Sequence, residues 1–170
     1  MQVAGRTSTA ATAAGVKLNA QSVSYHMNPL IRIGGRRIYP LPLIAKLQTD
    51  GSFRGRKDAA TAFILYAPSG AHLIALKQPL YGAISSTEAE WASIEKGFAA
   101  AVDANQECIG IENDCLGVVS ALINPDNRQR HEYARHYRHT ILELTKKTLW
   151  TGIRWIPRKL NRADDLFHST

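Results

Sequence analysis

The stretch Ser85–Trp91, SSTEAEW, begins a helical pattern near the middle of the sequence. Apolar residues at helical spacing predict a helix over residues 87–103 with one buried face, formed by Trp91, Ile94, Phe98 and Ala101. Ser85 with Glu88, or Thr87 with Glu90, fits a capping box at its start, in which a hydroxyl and a carboxylate satisfy free backbone N–H groups. Both pairings are open on the sequence alone.

Strand-like segments lie on both sides of this helix. Before it, β-prone runs cover residues 43–49, 60–67 and 71–77, and the last two are joined by the turn residues Pro68-Ser69-Gly70. After it come a strand at 108–112, helices at 115–123 and 129–147, a strand at 150–156 and a short helix from about Asn161. The order βββαβααβα predicts an α/β fold with a mixed five-stranded sheet and helices on its faces.

Acidic residues fall at the ends of these elements: Asp50, Glu88, Glu90, Asp114, Asp164 and Asp165. If the first and fourth predicted strands are neighbours, Asp50 and Asp114 lie within a few ångströms of each other. Such a cluster needs cations, because unpaired like charges are strongly destabilising. Carboxylate oxygens select Mg²⁺ or Mn²⁺, and two such ions about 3.5–4 Å apart are a common device for hydrolysing a phosphodiester.

Each acid also has a purely structural interpretation. Asp50 followed by glycine is typical of a turn, and Glu90 fits a capping box with Thr87. Asp114 fits a helix N-cap, and Asp164 complements the dipole of the last helix. For any one acid alone, the structural interpretation is better than a metal site. The acids taken together in this order favour a metal site.

The excess positive charge is concentrated at the start of the chain. The 170 residues include 21 Lys and Arg against 14 Asp and Glu, a net charge of +7, and residues 1–49 contribute +6 of it because they hold six basic residues and no acid. We interpret residues 1–42 as a basic extension before a domain at 43–170, with a hairpin at 30–39 across Gly34-Gly35. The pair Arg36-Arg37 is a candidate phosphate contact. A solvated tail and an organellar targeting segment both fit the same composition.

Composition excludes several classes of protein. With 45% hydrophobic and 21% charged residues, the chain is not fully disordered. No apolar run approaches the roughly 20 residues of a membrane-spanning helix, so no membrane association is expected. The two cysteines, Cys108 and Cys115, cannot form a disulfide framework and lack zinc-site spacing, which favours a reducing, intracellular setting. No secretory signal is evident in residues 1–20.

Several motifs resemble the ribonuclease H superfamily, and in particular the ribonuclease H domain of copia-type retrotransposons and reverse transcriptases. SSTEAEW at residues 85–91 resembles the SSTEAEY motif of that domain, and Lys77-Gln78 fits the same pattern. TDGS at 49–52, IEND at 111–114 and RKLNRADDL at 158–166 resemble its first, third and closing motifs. The resemblance extends from about residue 43 to residue 166.

This resemblance implies a metal-dependent endonuclease that hydrolyses the RNA strand of an RNA–DNA hybrid. Its ligands to two Mg²⁺ or Mn²⁺ ions would be Asp50, Glu90, Asp114 and Asp164, with one ion activating water and the other stabilising the leaving 3′ oxygen. The common spacing of Asn plus four selects Asp165 instead, whereas the Ala-Asp-x-Leu context selects Asp164, which we prefer. The hybrid would be recognised by its shape, 2′-hydroxyls and phosphates. Candidate nucleic-acid contacts are Arg36, Arg37, Arg158 and Asn161.

The last third of the sequence departs from the family pattern. Residues 157–163 contain no histidine, although many members have one there that helps to move protons or release product, and the final helix is short. The segment between the short helix at 115–123 and the last strand is too short for the basic protrusion with which many cellular members bind hybrid. Substrate would therefore be bound by the N-terminal arm and by the Arg/His face of helix 129–147. These departures motivate an alternative function, a non-catalytic ribonuclease H-like module that binds nucleic acid, a polymerase or a larger assembly. Resolvases and integrases share the fold, but SSTEAEW argues against them.

Overall fold

One mixed β-sheet organises the protein in a computed structural model that describes residues 29–36, 43–124, 126–127 and 129–169. Its strands are β1 (Ile31–Gly35), β2 (Ala45–Phe53), β3 (Ala59–Tyr66), β4 (His72–Pro79), β5 (Cys108–Asn113) and β6 (Trp150–Trp155). The α-helices are α1 (Ser86–Asp103), α2 (Leu116–Ile123), α3 (Glu132–Leu144) and α4 (Asp165–His168), and 3₁₀ turns cover Thr145–Lys147 and Arg158–Leu160. From residue 43 onward the order is the predicted βββαβααβα.

The strand order across the sheet is β1-β6-β5-β2-β3-β4. β2, β3 and β4 form an antiparallel meander, whereas β5 runs parallel to both β2 and β6. Parallel neighbours need crossover connections, which α1, α2 and α3 provide. The expected α/β class and mixed sheet are confirmed, and β2 and β5 are neighbours, which is the condition on which the proposed acidic cluster depends.

The sheet has six strands rather than the five that the sequence predicted. The additional strand is β1, which pairs antiparallel with β6 from Ile31 opposite Ile153 to Gly35 opposite Trp150. Gly34-Gly35 was expected as a hairpin turn, but both glycines lie within this strand. A side chain at Gly34 would overlap the side chain of Thr145, and Gly35 has a φ of +77°. The two glycines therefore allow the backbone of β1 to lie close to Thr145 and to the start of β6. Residues 37–39 of the predicted hairpin lie outside the described residues.

A single hydrophobic core joins the sheet to the helices. The predicted buried face of α1 is confirmed, since Trp91, Ile94, Phe98 and Ala101 are at most 1% exposed. They pack in one cluster with side chains from the four central strands: Leu47, Phe63, Leu65, Ile109, Ile111 and Ile153. α2 and α3 add Val118, Val119, Leu122, Ala134 and Ile141. Among the described residues, no helix is long and apolar enough to span a membrane.

Helix α1 packs directly against strand β2, and a glycine occupies the contact on each element. A Cβ atom at Gly51 of β2 would overlap the backbone of Ala89 and Glu90 in α1. A Cβ at Gly97 of α1 would come within 3.1 Å of Thr49 and 3.2 Å of Leu47 in β2. The helix axis is therefore held against the strand along its length, and its first turns are fixed relative to Asp50.

A buried polar network fills the sheet beside this core. Gln48 and Glu112 are 3% and 4% exposed, and the Gln48 amide donates to the Glu112 carboxylate at 2.8 Å. Arg154 Nε donates to the same carboxylate at 2.9 Å, and a second guanidinium nitrogen of Arg154 also pairs with it. Because an ionised carboxylate is costly to bury without a partner, the Arg154 charge is what makes a glutamate tolerable at this position.

Removing the Arg154 charge should therefore destabilise the fold strongly. We expect Arg154→Met to lower the free energy of unfolding by about 3–5 kcal/mol, because it leaves Glu112 buried and uncompensated. The double variant Glu112→Leu with Arg154→Met should recover most of that loss. As a control, Lys146→Met breaks the exposed Lys146–Glu143 pair, 2.6 Å long, and should leave stability close to that of the wild type. Urea denaturation measures all three, and equal effects of the two single variants would contradict the assignment.

Candidate active site

Three carboxylates from three elements converge at one end of the sheet. Asp50, Glu90 and Asp114 each offer one oxygen atom, and these oxygens all lie within 4.8 Å of one another. Asp50 is carried by β2, Glu90 by α1 and Asp114 by the residue after β5 ends. Asp50 lies within its strand, opposite Ala62 of β3, rather than at the strand end that its glycine neighbour had suggested. The structure therefore shows the convergence of carboxylates that we expected from the sequence.

The N-terminal cap of α1 decides which glutamate reaches this cluster. Ser85 is the N-cap residue, and its hydroxyl accepts the backbone N–H of Glu88 at 3.1 Å. The Glu88 carboxylate in turn accepts the backbone N–H of Ile84 at 2.7 Å. Of the two pairings open in the sequence, Ser85 with Glu88 forms the cap, and the Glu88 carboxylate reaches the N–H of Ile84, the residue before the N-cap, instead of that of Ser85. Glu90, two residues further on, is left to face Asp50.

Gly51 sets how near Glu90 can come to Asp50. Its backbone N–H donates to Asp50 Oδ1 at 3.0 Å, which orients that carboxylate. Its missing side chain leaves the space into which the Ala89–Glu90 backbone fits. The sequence Asp-Gly is thus explained here by close approach of a helix to a strand, and not by a turn.

A cavity of about 290 Å³ opens beside the carboxylates, lined by Asp50, Glu90, Asp164, Arg54, Arg158 and His168 among others. Asp164 accepts a 2.6 Å hydrogen bond from Arg158 and lies 3.6 Å from the His168 ring. Asp165, the alternative fourth acid, has a side chain that is 62% exposed and pairs with Arg162 at 3.3 Å. The structure therefore brings Asp164 to the cavity with Asp50, whereas Asp165 faces another part of the surface.

Burial and mutual repulsion raise the proton affinity of the central carboxylates. Desolvation, followed by the negative charges of Glu90 and Asp114, raises the pKa of Asp50 to about 9. Desolvation likewise raises the pKa of Glu90 to about 7, although a hydrogen bond from Asn113 opposes it. The Arg158 guanidinium holds the pKa of Asp164 below its usual value. Without a cation the site retains a proton on Asp50, which also shares a hydrogen bond with Asp164.

The donor set fits a hard divalent cation. All the converging groups are carboxylate oxygens, the ligands that Mg²⁺ and Mn²⁺ prefer. A bound cation would replace the proton on Asp50 and remove the repulsion among the three charges. The described residues around the cluster supply neither histidine nor cysteine within the ligand set, which disfavours zinc.

The four residues expected to contact nucleic acid fall in different surroundings. Arg158 lines the cavity with a side chain that is 71% exposed. Asn161 is only 2% exposed, so the structure does not bring it to a surface that nucleic acid could reach. Arg36 is exposed after β1 and donates its backbone N–H to Leu149, away from the residues that line the cavity. Arg37 lies outside the described residues.

The Arg/His face of α3, expected to grip substrate, is partly occupied within the protein. Arg138 Nε donates to the carbonyl oxygen of Ala121 at 3.0 Å, near the end of α2, where the last carbonyls of a helix lack partners. Arg135 donates to the carbonyl oxygen of Gln129 at 3.2 Å. These two guanidinium groups therefore have a structural role between α2, α3 and the loop that joins them.

Two basic residues of the cavity were not identified from the sequence. Arg54 follows β2, and His168 lies in α4, beyond residues 157–163, where the sequence lacked a histidine. A helical spacing of four between Asp164 and His168 was the available signal, because residues i and i+4 share a helix face. Arg54 had no comparable signal, since nothing in its local sequence distinguishes it from other exposed cations.

These pKa shifts predict that the metal-free protein loses stability as the pH rises. Above about pH 4 an unfolded Asp50 is ionised, whereas the folded protein keeps this proton up to about pH 9, so folding binds a proton and stability falls across that interval. Asp50→Asn should flatten this dependence and raise stability near pH 8 by about 1–2 kcal/mol. Thermal denaturation in EDTA measures it, with Asp58→Asn at an exposed position as control. A variant with the wild-type pH slope would contradict the electrostatic picture.

Comparison with known proteins gives the chain a family. Residues 48–168, which are most of the chain, match the reverse transcriptase-like family. A comparison with curated proteins finds no match. RNase H1 from the archaeon Halobacterium salinarum is 24% identical, with a TM-score of 0.66 over 72% of this chain and 92% of that one.

Two further solved structures with the same fold hold nucleic acid. LC11-RNase H1, isolated from compost and solved in complex with an RNA/DNA hybrid, is 16% identical with a TM-score of 0.61, over 72% of this chain and 92% of that one. The foamy viral protease-reverse transcriptase, also in complex with an RNA/DNA hybrid, is 12% identical with a TM-score of 0.59, over 78% of this chain and 20% of that one. The resemblance that the motifs indicated is confirmed: the chain belongs to the reverse transcriptase-like family, within the ribonuclease H superfamily.

Proposed function

We propose that this protein is a metal-dependent endonuclease that hydrolyses the RNA strand of RNA–DNA hybrids. The observation that carries the proposal is the convergence of Asp50, Glu90 and Asp114 within 4.8 Å, with Asp164 on the same cavity. Two neighbours of the same fold were solved with an RNA/DNA hybrid bound, which supports the choice of substrate. The protein would read the hybrid through its shape, 2′-hydroxyls and phosphates.

In this proposal the four acids divide between two Mg²⁺ or Mn²⁺ sites. Asp50, Glu90, Asp114 and Asp164 would together supply the carboxylate oxygens that hold the two ions. When bound, two divalent ions supply an activated water and stabilise the charge on the leaving 3′ oxygen. The chain's own contribution is to hold the carboxylates together, although their burial opposes ionisation until a cation binds.

Cations around the cavity would bring the phosphates of the substrate to this acidic site. Arg54 and Arg158 line the cavity, and Arg158 already lies 2.6 Å from Asp164. A phosphodiester approaching four acids is repelled unless positive groups balance the charge. We therefore assign Arg54 and Arg158, rather than Asn161, to contact with the substrate backbone.

Cleavage of a labelled hybrid in Mg²⁺ or Mn²⁺ tests the proposal directly. The wild-type protein should cleave the RNA strand of the hybrid and leave duplex DNA intact. Asp50→Asn should reduce cleavage by at least about 1000-fold, because a carboxylate ligand is lost and several kcal/mol of charge stabilisation go with it. Asp58→Asn, at an exposed position outside the cavity, should retain full activity. Equal cleavage by Asp50→Asn and the wild type would refute the assignment.

The same assay distinguishes the rival function. The absence of a histidine at residues 157–163 motivates the alternative of a non-catalytic module that binds nucleic acid or a polymerase partner. Hybrid binding without cleavage in either metal would support that alternative. Activity on branched DNA but not on hybrid would instead indicate a resolvase-like enzyme.

Asp164 and Asp165 offer a matched pair for testing the fourth ligand. Asp164→Asn should lower the rate of cleavage by about 100-fold or more, since this carboxylate lies on the cavity with Asp50. Asp165→Asn should change the rate by less than about twofold, because its exposed carboxylate pairs with Arg162 at the surface. Steady-state cleavage at saturating Mg²⁺ measures both. The reverse ranking would assign the fourth ligand to Asp165.

A further inference from the structure

Two buried asparagine side chains meet at a single backbone carbonyl directly before Asp50. Asn113 is fully buried and Asn161 is 2% exposed. The Nδ2 atom of each donates to the carbonyl oxygen of Thr49, at 3.1 Å from Asn113 and 2.8 Å from Asn161. A carbonyl oxygen has two lone pairs, so it can accept both hydrogen bonds at once. The ends of β5 and of the loop before α4 are thereby tied to the residue that precedes Asp50.

The same two amide nitrogens also donate to the acidic cluster. Asn113 Nδ2 lies 3.0 Å from Glu90 Oε2, and Asn161 Nδ2 lies 3.0 Å from Asp114 Oδ1. Each NH₂ group thus spans from Thr49 to one carboxylate. Through this shared carbonyl, hydrogen bonds link the carboxylates of Glu90 on α1 and Asp114 after β5 to the strand that carries Asp50.

The orientation of each amide is fixed by its other atom. Asn113 Oδ1 accepts the backbone N–H of Cys115 at 2.8 Å, and Asn161 Oδ1 accepts the backbone N–H of Ala163 at 3.3 Å. Since each oxygen is already engaged by a backbone donor, a flipped amide would place its oxygen against the Thr49 carbonyl oxygen and a carboxylate, and leave that backbone N–H without its acceptor. The NH₂ groups must therefore point at Glu90 and Asp114.

We propose that Asn113 and Asn161 are positioning residues that hold Glu90 and Asp114 in metal-ligating rotamers relative to Asp50. The proposal rests on the metal-dependent function argued above. Three carboxylates within 4.8 Å repel one another, and rotation of Glu90 or Asp114 away from the cluster would relieve that repulsion. Hydrogen bonds from neutral amide donors oppose this rotation without adding a positive charge that would compete with the metal. Groups that orient metal ligands in this way typically change metal affinity or activity by 10–100-fold when removed.

Binding of Mn²⁺ alone, measured by isothermal titration calorimetry on the full chain, tests the proposal. Asn113→Ala and Asn161→Ala should each weaken Mn²⁺ binding by about 10–100-fold. The Mn²⁺ concentration for half-maximal hybrid cleavage should rise by the same factor, while kcat at saturating Mn²⁺ recovers to within about fivefold, because the bound metal then orders the carboxylates itself. If Asn113→Ala does not fold, Asn113→Ser provides the same test, since its hydroxyl is too short to bridge Thr49 and Glu90.

Gln48→Ala is the matched control, because Gln48 is also a buried amide that donates to a buried carboxylate, Glu112, at 2.8 Å. It should lower the melting temperature as much as the asparagine variants but leave Mn²⁺ affinity within about threefold of wild type. Asparagine variants with wild-type Mn²⁺ affinity, or an equal loss of affinity in Gln48→Ala, would overturn the positioning role. Absence of Mn²⁺ binding by the wild-type protein would instead overturn the proposed function itself.

Discussion

The close contact between α1 and β2 at Gly51 is the constraint on which the rest of the site depends. Any side chain at this position would overlap the backbone of Ala89 and Glu90 and push the helix away from the strand. The hydrophobic face of α1, centred on fully buried Trp91 and Ile94, supplies the force that closes this contact. Core packing therefore also determines the site geometry, since the helix whose apolar face is buried in the core places Glu90 next to Asp50.

Having brought like charges together, the fold must keep them from separating. The apolar surroundings raise the pKa of Asp50 and of Glu90, so the metal-free site is held partly protonated. The hydrogen bond from Asn113 favours the ionised form of Glu90 and acts in the opposite direction. The site is a balance between desolvation, which resists charge, and directed donors, which stabilise it in a ligating arrangement. Repulsion among the carboxylates lowers the free energy of unfolding, and binding of a cation to the folded protein raises it again.

Features with a local sequence signal were predictable, and those produced by long-range contact were not. The α1 stripe follows helical period, and the SSTEAEW motif pointed to Glu90. The sixth strand was missed because Gly34-Gly35 has the composition of a turn, whereas its glycines serve a close approach to Thr145 and Leu149 that only the folded chain reveals. Asn161 was a candidate nucleic-acid contact, whereas its side chain is buried in the structure. Its burial depends on Thr49 and Asp114, which are remote in sequence.

The positive charge of the first 49 residues illustrates the same distinction. Composition placed five of these basic residues in the extension at residues 1–42 and Lys46 in the first predicted strand, whereas in the structure both Arg32 and Lys46 belong to the sheet. The Lys46 ammonium lies 4.1 Å from the Tyr66 ring centroid, and Arg32 donates to the carbonyl oxygen of Gly35 at 2.8 Å. On the proposed function, the phosphates nearest the reacting bond would instead meet Arg54 and Arg158, from a segment that is almost neutral overall. Local charge at a site is set by which side chains the fold brings there, and net charge along the sequence is a poor guide to it.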